Sequence, residues 1–117
     1  MKLLILFSII FSFETFAGCE TYTRYGEARE ICWISEYKGY FSKQCSDKCE
    51  ARSFLDKKMP KPEKIDRKGG TNPAAQICKT FGYTVAVLKD PRMSEQSFCE
   101  FPDGSLVDTN AVVRSLK

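Results

Sequence analysis

The apolar positions of the chain fall into three kinds of pattern. From Leu3 to Phe13 they run on almost without a break, interrupted only by two serines. Eleven residues are too few to span a bilayer, which takes about 20. The run also lacks the polar positions at helical spacing that a buried core helix carries. With Lys2 ahead of it and Thr15-Phe16-Ala17 behind, residues 1–17 read as a signal peptide, cleaved before Gly18.

The second pattern is helical. Ala74, Ile77, Cys78 and Phe81 recur at i, i+3, i+4 and i+7 and make one apolar face. Asn72 suits the N-cap, and Pro73 the first helical position, where its missing N–H costs nothing. Gly82 ends the helix. The third pattern is alternation. Tyr83 to Leu88 and Phe98 to Phe101 read as strands, with Asp90-Pro91 opening the loop between them. Pro102-Asp103-Gly104 is a turn leading into Leu106-Val107. Asp108 or Thr109 then caps a short helix through Arg114 and Leu116. The predicted order is helix, two or three antiparallel strands, helix.

Nearer the N-terminus, Tyr25-Gly26 reads as a hairpin turn that sets Cys19 and Cys32 opposite each other on one face. The polar run Ser42 to Phe54 reads as a helix, with Cys45 and Cys49 one turn apart. Ile31-Cys32-Trp33-Ile34 has no polar face, which places Trp33 inside. Seven aromatics (Tyr22, Tyr25, Trp33, Tyr37, Tyr40, Phe41 and Phe54) could stack on a glycan or line a partner groove. A small core that needs large side chains is the preferred account.

Charge divides the chain. Its formal +3 is concentrated between 57 and 70, a stretch with two prolines, two glycines and almost nothing apolar. That composition reads as an exposed linker between residues 18–56, a cysteine-rich unit, and 71–117, a second small unit. If the stretch binds anything, Lys57, Lys58, Lys61, Lys64, Arg67 and Lys68 would meet an anionic envelope lipid or acidic polymer; no nucleic acid is expected of an exported chain. The fold class expected is α+β, in small disulfide-stabilised domains.

Histidine is absent, which removes Ser-His-Asp and Cys-His nucleophile chemistry and every zinc site that needs an imidazole. Six cysteines, all beyond the signal segment, point to disulfides in an oxidising compartment. The C-x3-C spacing of Cys45 and Cys49 suits neither paired zinc ligands nor a thioredoxin-type redox pair. They split as Cys19, Cys32, Cys45 and Cys49 before the basic stretch and Cys78 and Cys99 after it. If each half closes on itself, one bond is Cys78–Cys99 and three pairings stay open overall. One model joins the two strand cysteines to the two helix cysteines, a geometry that resembles cysteine-stabilised α/β peptides without their C-x-C. A Cys19–Cys32 bond would contradict it.

Phe16-Ala17-Gly18-Cys19 resembles the bacterial lipobox, in which the cysteine is acylated, with phenylalanine in place of the usual leucine. Lipidating Cys19 would strand one thiol, so periplasmic or secreted release is preferred and lipid anchoring through Cys19 is the alternative.

Asn72-Pro73-Ala74, Cys78, Cys99 with Pro102-Asp103-Gly104-Ser105, and Arg114 together resemble the Domain of Unknown Function 333 family. Its members are small exported bacterial proteins or lipoproteins that commonly carry the label hemolysin. The resemblance covers Asn72 to Lys117. Where the family has two further cysteines this chain has Val107 and Lys117, and where it has tryptophan and a glycine near the end this chain has Asn110 and Ser115. Loss of two cysteines together implies that they pair with each other, which leaves Cys78 and Cys99 as the remaining pair.

No catalytic residues, metal ligands or cofactor are assigned: the chain has no nucleophile motif and no group suited to acid–base work near neutrality. The reading is a non-catalytic exported module that binds a protein or glycan of the cell envelope. The alternative is membrane lysis, for which the chain past residue 17 offers neither a broad amphipathic helix nor a long apolar stretch. A glycosidase working through two carboxylates is a third possibility.

Overall fold

The structure, a computed structural model, describes residues 16–62 and 73–117. Residues 1–15, the basic positions Lys64, Arg67 and Lys68, and the expected cap Asn72 lie outside them. Strand β1 (Phe16–Arg24) and strand β2 (Glu27–Ile34) form the expected hairpin. Tyr25 and Gly26 both have positive φ, 51° and 80°, as a tight hairpin turn requires. Strand β3 (Gly39–Ser42) follows, then a 3-10 turn (Lys43–Ser46) and helix α1 (Glu50–Asp56). After the undescribed segment come α2 (Pro73–Thr80), β4 (Thr84–Lys89), β5 (Glu95–Glu100), β6 (Leu106–Asp108) and α3 (Thr109–Ser115).

The six strands close into one antiparallel barrel in the order β1-β2-β3-β6-β5-β4. The α+β class holds, but the division into two separately closed units does not. A three-stranded sheet leaves two bare edges and an uncovered face, and here each half covers the other's. β3 meets β6 at Phe41↔Val107, and β1 meets β4 at Thr23↔Lys89. The first of these seams is reinforced by side chains. Leu106 N–H donates to Ser42 Oγ at 2.9 Å, and Tyr40 N–H donates to Asp108 Oδ2 at 2.7 Å.

One registered row, Cys19–Cys32–Phe41–Val107–Cys99–Val85, crosses all six strands. Most of that row lies under the helices, in a core shared by both halves: Phe41, Phe54 and Leu55 bury beside Ile77, Cys78, Cys99, Val107 and Val112. The opposite sheet face fills the barrel with Tyr22, Ile31, Ala86, Leu88, Phe98 and Leu106, as a small barrel must be filled by side chains. The same face carries an ion pair between Arg24 and Glu100 at 3.2 Å.

The disulfides are Cys19–Cys32, Cys45–Cys49 and Cys78–Cys99. The first overturns the strand-to-helix pairing. Cys45 sits in the 3-10 turn and Cys49 is the N-cap of α1, so the expected continuous helix is broken between them and the two bond to each other. Cys19, already joined to Cys32, has no thiol left to acylate, so the lipobox alternative falls. Trp33 is half-buried and not inside. The described start of the basic stretch is no free linker: Lys117 N–H donates to Met59 O and Lys61 N–H to Lys117 O, while Met59 packs on the core.

Candidate functional site

The barrel interior opens to solvent where β2, β3 and β5 begin or end. The opening is a cleft of about 480 Å³. Its floor is aromatic: Tyr22 lies edge-on to Phe98 with centroids 5.7 Å apart, and Trp33 edge-on to Tyr40 at 4.8 Å. Tyr22 and Phe98 are buried, whereas Tyr40 is 39% exposed. Alternation explains the arrangement. Trp33 pairs with Tyr40 across β2 and β3 on the face that lower down carries Ile31, so the interior row runs out from the apolar cluster into the cleft. Burial pushes the Tyr22 hydroxyl up to about 12, helped by Tyr40, Glu20 and Asp90; it stays neutral and can donate or accept a hydrogen bond.

The β2–β3 turn, the β4–β5 loop, the end of β6 and helix α3 supply the polar fringe. Asp90 is buried, and its Oδ1 accepts the N–H groups of Arg92 and Ser94, each at 2.9 Å. The N–H donor of Ser94, followed by that of Arg92 and the Gln96 amide, holds the Asp90 carboxyl below the usual range. Asp108 is equally committed: Oδ2 binds Tyr40 N–H, and Oδ1 takes Ala111 N–H at 2.8 Å as the cap of α3. Lys38, Arg92, Asn110 and Arg114 complete the rim. Lys38 stands in the β2–β3 turn with φ 51°, and its carbonyl accepts a hydrogen bond from the Arg114 guanidinium.

Most of the sequence-predicted motif does other work. Asp103 Oδ2 accepts Glu50 N–H at 2.9 Å and Ser105 Oγ accepts Ala51 N–H at 3.1 Å. The Pro102–Ser105 turn therefore satisfies the first donors of α1, a helix contributed by the other half of the chain. Burial acts to raise the Asp103 carboxyl, but hydrogen bonds from Ser105 and Glu50 outweigh it and hold the carboxyl low. Gly104 has φ 86°, and its carbonyl accepts from Arg29 at 3.2 Å. Pro73 opens α2 and Ala74 is buried. Of the motif residues, Arg114 alone lines the cleft among those described. Residues 69–115 match the family described as a domain of unknown function, DUF333.

The part of the chain that matches DUF333 is the C-terminal one, under half of its length. The resemblance read from Asn72 onward stands on that match. No curated protein and no solved structure matches the chain. The DUF333 segment supplies β4, β5, β6, α2 and α3, hence Asp90, Arg92, Asp108, Asn110 and Arg114 in the cleft. Trp33, Lys38 and Tyr40 come from the strands before it, so the cleft straddles its boundary.

Sequence reasoning missed Lys38, Asp90 and Arg92 as site residues. A lysine directly before Gly39 in a tight turn was the one available signal. Among the described residues no cluster of three or more His, Cys, Asp or Glu could hold a metal ion, and no helix is long and apolar enough to cross a membrane. Three disulfides place the working chain outside reducing cytoplasm.

Proposed function

We propose that the protein is an exported, non-catalytic, disulfide-stapled module that binds a glycan of the cell envelope at the mouth of the barrel. The observation that carries this reading is the half-exposed Trp33–Tyr40 pair in the cleft. Aromatic rings open to solvent offer flat apolar faces to the C–H faces of a sugar, while Asn110, Gln96 and the rim cations offer donors to its hydroxyls. Pockets of this kind pair apolar walls with a few convergent polar groups. Two of the carboxylates that line the cleft, Asp90 and Asp108, are held by backbone N–H groups, which fits a positioning role in binding.

Trp33 is the single tryptophan, so its fluorescence reports on the cleft. Titration of the oxidised protein with oligosaccharides released from cell wall should give a saturable change, and Tyr40→Ala should weaken it at least tenfold. Absence of any saturable change, by fluorescence and by calorimetry, would overturn the reading. Dye release from liposomes by the same preparation would favour the lytic alternative instead.

A further inference from the structure

The mouth cleft continues past its rim. A second cleft of about 400 Å³ adjoins it, and both are lined by Lys38 and Arg114. Lys58 lines the second. We propose that the two form one groove for a linear, carboxylate-bearing glycan, whose acidic groups are met by Lys38, Arg114 and Lys58. The inference rests on the glycan reading above and specifies the chemistry of the ligand.

Charge balance is the first support. None of the three cations is in an ion pair among the described residues. The acids along the groove are largely spent: Asp90 and Asp108 on backbone N–H groups, and Glu36 beside Arg52 at 3.8 Å. Glu95 is the uncommitted carboxylate among the described lining residues. A guanidinium and two ammonium groups with no carboxylate partner among the described residues suit an acidic chain, since charge-assisted bonds to carboxylate are about twice as strong as neutral ones.

Backbone conformation is the second. Lys38 and Lys58 both adopt left-handed φ, 51° and 50°, where a side chain is disfavoured and glycine is the ordinary choice. Among the described residues four non-glycines do this, and these two lysines line the same cleft. Both positions keep a long cationic side chain against the backbone's preference, which is the mark of a position held for its side chain. Arg114, in turn, fixes the Lys38 turn through its hydrogen bond to the carbonyl. The third support is extent: two adjoining clefts of this size accommodate several sugar units, and a single sugar would leave one of them empty.

The test uses three probes on the oxidised chain, followed by Trp33 fluorescence and calorimetry: a neutral linear oligosaccharide, an oligouronate of equal length, and polyglutamate. The oligouronate should bind at least tenfold more tightly than the neutral chain, and the difference should shrink as salt is raised. Lys38→Gly keeps the left-handed turn, and with Lys58→Ala it should remove most of that preference, weakening the oligouronate far more than the neutral chain. Equal affinity for neutral and acidic chains would overturn the inference and leave the glycan reading standing. Polyglutamate binding as tightly as the oligouronate would overturn the saccharide ligand, and failure of both sugars to bind would overturn both readings.

Discussion

Arg114 donates to the carbonyl oxygen of Lys38. One residue belongs to the DUF333 segment and the other to the strands that precede it, so the bond ties the last helix to the β2–β3 turn. Because the turn holds Lys38 at positive φ, its stability and its usefulness pull in opposite directions. Lys38→Gly should raise the unfolding free energy by about 1 kcal/mol, the usual relief when a side chain leaves the left-handed region. Urea unfolding of both proteins measures this. A loss of stability would show that the Lys38 side chain packs as well as projects.

Gly39, the next residue, is there for space. A Cβ built on it would lie 2.6 Å from Ala111 Cβ on α3. Gly39→Ala should therefore destabilise by about 1–3 kcal/mol through overpacking, seen as a lower urea midpoint at unchanged slope. Restoration of the midpoint by adding Ala111→Gly would identify the clash as the cause.

Ser42 substitutes for a missing rung at the β3–β6 seam. Its hydroxyl is buried and accepts Leu106 N–H. Ser42→Ala leaves that donor without a partner in a dry interior, at a cost of about 1–3 kcal/mol. Faster amide exchange at Leu106, ahead of Phe98 and Ile31, is the expected signature.

The Cys78–Cys99 bond spans 21 residues of sequence. In the chain-entropy model such a closure contributes about 3 kcal/mol. Since Cys78 and Cys99 lie in the core that also holds Phe41 and Phe54, Cys78→Ser with Cys99→Ser should expose both halves together. Limited proteolysis should cut residues 18–56 and 73–117 at matching rates. Selective survival of either half would contradict the shared core.

Stability should fall at both ends of the pH scale for separate reasons. Asp103 and Asp90 titrate lower in the folded protein than in the unfolded chain. Their contribution is complete above the unfolded carboxylate range, about 4, and disappears as pH drops through the folded values. Asp103→Asn should flatten this acid limb. Tyr22 acts oppositely: raised to about 12, it contributes fully below the unfolded value of about 10, and that contribution fades as pH climbs between the two. Tyr22→Phe should reduce the alkaline slope and leave the part that Tyr37, raised chiefly by burial, contributes.

Local chemistry was readable in the sequence wherever a few adjacent residues decided it. Tyr25-Gly26 set the hairpin, Pro73 and Gly82 bounded α2, and Pro102-Asp103-Gly104 made its turn. What escaped was whatever depended on distant partners. The β3–β6 and β1–β4 seams rest on one registered pair each, too slight a signal to appear as a pattern. Cys45 and Cys49 looked like helix neighbours because four-residue spacing fits a helical turn; the 3-10 turn and a new cap at Cys49 give the same spacing another geometry. Trp33 looked interior because nothing polar adjoins it, yet the interior row on which it lies ends in solvent. The cleft was invisible for a related reason: Lys38 in the β2–β3 turn, Asp90 and Arg92 in the β4–β5 loop and Asn110 on α3 meet only after the barrel closes.

The two seams also determine how this fold could be shared. Each seam joins β1-β2-β3 to β4-β5-β6, and neither asks that both triplets come from the same chain. Two molecules that opened there could trade triplets and recover every contact within each barrel, so strand exchange is the route to a dimer that this architecture leaves open. By the same logic, residues 69–115 carry half a barrel. Without β1 to β3, the face of this chain that carries Ala86, Leu88, Phe98 and Leu106 would lose the half of the barrel that closes over it.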